Sequence, residues 1–348
     1  MTNQELLFDL SITRQLLLTR VANGESRAYL KLLSDIADEL TAYLNKSKPM
    51  GEMTKRELTK AIQELKAIVQ LPELALAPIV SSEVEWQVGT LAQIGINATL
   101  PSAAVIAGIA ETSLVQGALV SDWLNKLSDD VKFGIEQQIK LGAALNETNA
   151  QIIKRVMGFE SVGTKGSEPF KMLYRDAESL VRTAVMTYAN DAKMALYDRN
   201  LDIIKGYRHV STLDSRTSDI CMARSGKWWR LPDYKPVGHT LPFRKLPAHF
   251  RCRSLLLPVL KTQNEIGAGL DEPDVKRASD AGYVSADMAF DQFLKTKPKA
   301  YVEEMLGKGR YELWQKGIIT TSNLIDRNGR SLTIDELINR YAPDDYVV

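Results

Sequence analysis

Leu213-Asp214-Ser215-Arg216-Thr217-Ser218-Asp219-Ile220-Cys221 and, further along, Pro247-Ala248-His249-Phe250-Arg251-Cys252-Arg253 are the two segments on which the fold turns. Between Tyr207 and Pro258 lie both cysteines and all three histidines of a 348-residue chain, together with Gly226 and the pair Trp228-Trp229. The same stretch changes the local pattern. Tyr207 to Thr212, Gly226 to Leu231 and Cys252 to Leu260 are rich in β-favouring or continuously apolar residues and read as short strands of a small mixed sheet. Asp214 to Thr217 reads as a tight turn in which Asp and Thr side chains bond nearby backbone amides, with Arg216 pairing Asp214 or a neighbouring carboxylate.

The spacing of Cys221, His249 and Cys252 is compatible with a tetrahedral metal site, because two thiolates and an imidazole are soft, deprotonatable ligands carried on two facing segments. The fourth position is open among His239, Asp219, Asp214 and a water. Two alternatives stand beside a zinc site. The thiols are reduced and buried with a turn-capping histidine, or they form a Cys221 to Cys252 disulfide.

Outward from this core the chain is helical. Leu6, Leu7, Leu10, Leu17 and Val21 recur at helical spacing, Asn23-Gly24 is a stop signal, and Tyr29, Leu33, Ile36, Leu40 and Tyr43 resume the pattern, which predicts a helical hairpin. Pro49-Met50-Gly51 breaks the chain, Thr54 with Glu57 opens a capped helix, Pro72 and Pro78 mark a linker, and Ser82 with Glu85 reads as another capping box. Residues 128–158 read as helix, turn, helix. Asn149, Gln151, Lys154 and Arg155 are available for DNA reading, but two helices joined by a glycine-containing turn are common packing units. Phe170 to Asn200 predicts a long helix with Leu173, Ala177, Leu180, Ala184, Tyr188, Ala192 and Ala195 on one face. Past Leu260 the chain is polar to about Ser285 and reads as an exposed connection. Helices then resume at Phe290, Phe293, Leu294, Val302, Met305, Leu306 and Leu313, and Thr333 with Glu336 caps the last.

A hydrophobic content of 45% supports a buried core, and 44 basic against 43 acidic residues give a net charge of +1. So balanced a charge supplies no global field for nucleic acid, and DNA contact would have to come from a local patch. The longest apolar run, Ala103 to Ala110, is far short of the ~20 residues a membrane span needs. It reads as a buried helix or an inter-subunit contact, with no stable membrane insertion. Few cysteines and an opening Met1-Thr2-Asn3-Gln4-Glu5 without a positive region fit a reducing cytoplasm.

The run Leu213-Asp214-Ser215-Arg216-Thr217-x-x-x-Cys221, the following Gly226, and Pro247-x-His249-x-x-Cys252-Arg253 ending at Pro258 resemble the core of the phage Mu F-type head morphogenesis family, the minor head proteins of tailed bacteriophages. The resemblance reaches upstream to Arg182-Thr183 and Asn190. Downstream it takes in Leu306-Gly307-x-x-Arg310-x-x-Leu313, Gly317 and Leu332-Thr333-x-Asp335-x-Leu337, and so covers roughly residues 95 to 340. The chain departs from the family at Ser218, where many members carry a cysteine that completes Cys-x-x-Cys. That departure bears on the metal more than on the family.

The expected fold is α+β, mainly α: a helical hairpin region in 1–70, a helical domain in 71–206, a small β core in 207–262, and a linker with a C-terminal helical appendage in 263–348. The resemblance implies a structural core motif of Asp214, Arg216, Thr217, Gly226, Pro247 and Arg253, with Arg182 and Asn190 bridging the long helix to it. It implies a minor head component in the virion head interior, assembled in the host cytoplasm. Such a protein would join the procapsid with the portal protein and capsid or scaffold proteins, act in head morphogenesis and in DNA packaging, retention or ejection, contact packaged DNA non-specifically and work as an oligomer. No enzymatic activity is expected. The alternative is a metal-dependent nuclease with His249 or His239 as base and Asp214 or Asp219 as ligand, on a core with few carboxylates for such ions. Base stacking on Trp228 and Trp229 is weighed against their covering a small sheet, which is the commoner use.

Overall fold

The computed structural model describes residues 3–158, 168–261, 276–279, 282–285 and 288–343. The chain forms two compact units built from non-consecutive segments, instead of the four consecutive blocks expected. One takes Met1–Leu18, Pro78–Glu111 and Tyr188–Val348; the other takes Thr19–Ala77 and Thr112–Thr187.

The first helix overrides its own stop signal. α1 runs unbroken over Asn3–Lys46, so the hairpin expected to turn at Asn23-Gly24 is a single 44-residue rod. Gly24 in its interior costs about 1 kcal/mol relative to alanine, less than the burial of Leu33, Leu40 and Leu44 on the continuing face contributes.

The all-helical unit contains α2 (Lys55–Ile68), α5 (Val120–Ala144), α6 (Asn149–Met157) and the first part of α7 (Pro169–Asp198). Thr54 and Glu57 form the expected capping box. The segment with helix-turn-helix character is tied up in packing: Asn149 Nδ2 donates to Leu44 O at 2.8 Å, Gln151 closes a capping box with Thr148, and Arg155 forks onto Glu147. Gly142 lies against Ile152, where a Cβ would come within 2.5 Å of that side chain.

The other unit holds the small sheet. α3 (Ala77–Gln93) begins before Ser82, so the capping box expected at Ser82 is absent. Pro78 sits in the first turn, where a missing N–H costs nothing, and Ser82 Oγ instead accepts from Arg14 Nη2 at 2.8 Å. α4 (Ala103–Thr112) carries the apolar run but buries none of its residues, contrary to the buried helix expected. The sheet has four strands in the order β3-β2-β1-β4: β1 (Ile204–Val210), β2 (Trp228–Arg230), β3 (Pro236–Val237) and β4 (Leu255–Leu260). Every pairing is antiparallel, where a mixed sheet was expected. β1 is central. It pairs with β4 from Ile204↔Leu260 to Val210↔Leu255 and with β2 from Gly206↔Arg230 to Arg208↔Trp228. Gly206 is required there, since a Cβ would lie 2.5 Å from Trp229 O and 2.7 Å from the Trp228 ring.

A buried polar cluster links α1, α3 and α7 in this unit. Arg14 Nε meets Glu83 Oε2 at 2.7 Å, Gln87 Nε2 donates to Glu83 Oε1 at 2.6 Å, and Tyr197 O–H donates to Gln87 Oε1 at 2.6 Å. Lys193 Nζ lies 3.8 Å from Glu83 Oε1. Burial lowers the Lys193 pKa, which Glu83 resists and Arg14 assists.

Residues 262–275, most of the expected linker, lie outside the described residues. Lys276–Ser279 (β5) and Gly282–Ser285 (β6) pair as an antiparallel hairpin. α9 (Phe290–Lys295), α10 (Lys299–Leu306), α11 (Lys308–Gln315) and α12 (Ile334–Tyr341) follow. Thr333 and Glu336 cap α12 as expected. The apolar sides of these helices share one core cluster with Leu213 and Met222, so the appendage is packed onto the motif segment.

Candidate metal centre

A six-residue helix, α8 (Asp219–Arg224), presents the first half of the site. Its N-cap is Ser218, whose Oγ accepts from Cys221 N at 3.4 Å. The cap fixes the direction in which the first turn leaves the Asp214 turn, and Cys221 faces inward at 2% exposure. The second half is the turn before β4, closed by Cys252 N donating to His249 O at 3.2 Å, with Arg251 at φ 60°. Pro247, after a cis peptide bond, precedes it.

The two halves bring Cys221, His249 and Cys252 together. Their ligand atoms lie within 4.8 Å of one another, close enough to bind one metal ion. Cys221 Sγ is 3.7 Å from Cys252 Sγ and 3.4 Å from His249 Nε2. Both cysteines are free thiols, which removes the disulfide alternative. His249 Nδ1 lies 2.8 Å from Phe250 O, and a carbonyl can only accept, so Nδ1 carries the proton and Nε2 turns its lone pair towards the sulfurs. Fixing a ligand imidazole through its other nitrogen is a common feature of metal-binding histidines.

The three groups also perturb one another's ionisation. A thiol hydrogen bond from Cys221 and the nearby imidazole hold Cys252 well below the ordinary thiol range despite burial, while the same contact and burial push Cys221 up. Cys252 also raises His249 against the effect of burial. One acidic thiol beside a retained one is a site that releases protons when a cation enters.

Of the candidates for the fourth position, three are engaged elsewhere. Asp214 forks onto Arg253, with Nη2 to Oδ1 at 2.7 Å. Asp219 Oδ2 meets Arg310 Nη1 at 2.9 Å. His239 Nε2 lies 3.0 Å from Trp228 O, and burial lowers its pKa. Ser218 Oγ is 2.8 Å from His249 Nε2 and occupies that corner.

The core motif around the cluster is a hydrogen-bonded frame. Asp214 Oδ1 accepts from Arg216 N at 3.0 Å, Thr217 N donates to Asp214 O at 3.2 Å, and Thr217 Oγ1 donates to Thr212 O. Burial opposes ionisation of Asp214, but Arg253 and the Arg216 amide outweigh it and lower its pKa. Arg216 pairs with Asp214 as expected, Nη2 to Oδ2 at 3.7 Å, but is 80% exposed, and the closer fork onto Asp214 comes from Arg253. Gly226, at φ 80°, donates its N–H to His209 O at 2.9 Å in a conformation that favours glycine. Trp229 is buried with Nε1 donating to Leu241 O at 2.8 Å, which makes it sheet cover.

Of the expected bridging residues, Asn190 donates to Leu246 O at 2.7 Å, directly before Pro247. Arg182 does not follow that expectation: Nη2 pairs with Glu178 Oε1 at 2.8 Å one turn back on its own helix, the favoured i,i+4 arrangement. Sequence reasoning missed the role of Arg310. It clamps Asp219 and also donates Nη2 to Leu332 O at 2.7 Å, tying α11 to the first residue of α8. Its place in the downstream segment that carries the family resemblance was the available signal. No family model matches the chain, and no curated protein or solved structure matches it.

Proposed function

We propose that this chain is a minor head protein of a tailed bacteriophage, a structural component of the head interior that acts at the portal in head morphogenesis and in DNA packaging, retention or ejection. The observation that carries this reading is the convergence of the residues behind the family resemblance. Asp214, Thr217 and Cys221 lie in one segment of sequence and His249, Cys252 and Arg253 in another, yet they belong to one hydrogen-bonded frame, with Arg310 and Asn190 braced against it. On this reading the frame is a rigid mount and the helices offer faces to portal, capsid or scaffold proteins and to further copies of the chain. DNA contact is non-specific, and assembly takes place in the host cytoplasm.

The metal on this reading is zinc, held by Cys221, His249 and Cys252, since two sulfurs and an imidazole favour it over magnesium or calcium. Zinc would supply a cross-link between the start of α8 and the turn before β4. The nuclease alternative has less support, because Asp214, Asp219 and His239 are each committed to a bond within the fold.

The test is quantitative mass spectrometry of phage heads purified with and without the portal protein. A few copies of the chain per head, lost when portal is absent, are expected. Absence from both kinds of head would overturn the proposal.

A further inference from the structure

Arg224, the last residue of α8, is 1% exposed, yet among the described residues its Nε has no hydrogen-bond partner and its guanidinium makes one hydrogen bond, a 3.4 Å contact from Nη1 to Ile220 O on its own helix. A buried guanidinium without a counter-charge costs several kcal/mol, so such groups are normally paired. This one faces another cation. The point at which a Cβ on Gly329 would sit lies 3.0 Å from Arg244 Nη1, 3.7 Å from Arg224 Nη2 and 3.9 Å from Arg224 Nη1, so both guanidiniums converge beside one backbone position. Gly329 has φ +84° and no side chain to fill that space.

One further cationic group lies near His239. Lys227 and Arg224 both act on the His239 ring, and Lys227 is itself half-buried. Among the described residues neither arginine has a carboxylate within salt-bridge distance. The carboxylate felt by Lys227 is Asp291, whose oxygens are taken by Trp314 Nε1 and by the Thr321 N–H and hydroxyl. Asp326, in the same turn as Gly329, accepts from the amides of Asn328 and Arg330.

We propose that Arg224 and Arg244, converging at Gly329, form a binding site for a phosphate group. Two forked guanidiniums offer parallel N–H donors to a tetrahedral anion with several acceptor oxygens, and an anion of more than one negative charge neutralises the site better than one carboxylate. The site adjoins the thiol cluster, since Cys221 acts on Arg224 and Arg244 acts on His249, but it is independent of the assembly role proposed above. Arg244 is half-buried and Arg224 fully buried.

The test is isothermal titration of the purified full chain with sodium phosphate, against sodium chloride at matched ionic strength, for the wild type, R244Q and R224M. Saturable one-to-one phosphate binding is expected, weakened at least tenfold in both variants. Should R224M fail to fold, R244Q decides, since its side chain is partly in solvent. Competition with a 5′-phosphorylated and an unphosphorylated DNA oligonucleotide identifies the source. Displacement by the phosphorylated strand alone assigns the site to a nucleic-acid phosphate terminus, and displacement by neither assigns it to free phosphate. Equal heats for phosphate and chloride, or unchanged affinity in R244Q, would overturn the proposal.

Discussion

The Glu83 cluster and the Cys221 cluster are both buried in the same unit, and they handle charge in opposite ways. At Glu83 the carboxylate meets Arg14, Gln87 and Lys193, so every strong donor and acceptor finds its complement inside the protein. At Cys221 two sulfurs and an imidazole nitrogen lie within 4.8 Å of one another, with the hydroxyl of Ser218 2.8 Å from the imidazole. A cluster that closes its own charge serves as a fastener. One that gathers electron-pair donors is suited to hold a cation, and the Arg224 and Arg244 pair is the reverse case, gathered donors suited to an anion.

The largest effect expected is at the closed cluster. Glu83→Ala leaves Arg14 and Lys193 buried together and should lower stability by about 3–5 kcal/mol in urea denaturation. A loss under ~1 kcal/mol would mean that charge closure is not what holds α1 to α3. Next comes the open cluster. Zinc at a hundredfold excess over its dissociation constant should stabilise the wild type by about 2.7 kcal/mol, read as a rise in Tm. Cys252→Ser should abolish that rise while Glu83→Ala retains it, and no rise in the wild type would class the thiols with the fasteners.

Asp214→Asn should cost about 1.5–3 kcal/mol, as a charged hydrogen-bonded partner of Arg253 is lost. The sign with pH follows from the lowered Asp214 pKa. Its stabilisation is fully present above the unfolded value of about 4 and is lost as pH falls through the folded value, so the wild type should lose more stability in acid than the Asn variant. Arg310→Lys keeps the charge but not the forked reach to Asp219 and Leu332 O, and about 1 kcal/mol is expected. Arg216→Ala should change stability by less than about 0.5 kcal/mol, because the side chain is largely in solvent.

These contrasts follow what was legible along the chain. Thr54 with Glu57, Thr333 with Glu336 and the face of α7 were readable because caps and helical periodicity involve neighbours three or four residues apart. The same locality misled at Gly24, where a stop signal was overridden by burial further along α1. It misled again at Ser82, which became a partner for Arg14. Cys221, His249 and Cys252 stood out by residue type. Whether they met, and which carboxylates were already taken, depended on contacts with Arg253 and Arg310, which local pattern does not specify.

The sequence by itself determined a mainly helical α+β chain, a switch to strands after Tyr207 and three ligand-type side chains. Short-range hydrogen bonding and residue chemistry suffice for those. Only the tertiary structure decided that α1 is one rod, that the sheet is antiparallel, that Ser218 sits at the fourth corner of the thiol cluster, and that Arg224 is buried against Arg244. Those outcomes depend on which distant groups satisfy one another once water is excluded, and burial makes the choice costly to leave unmade.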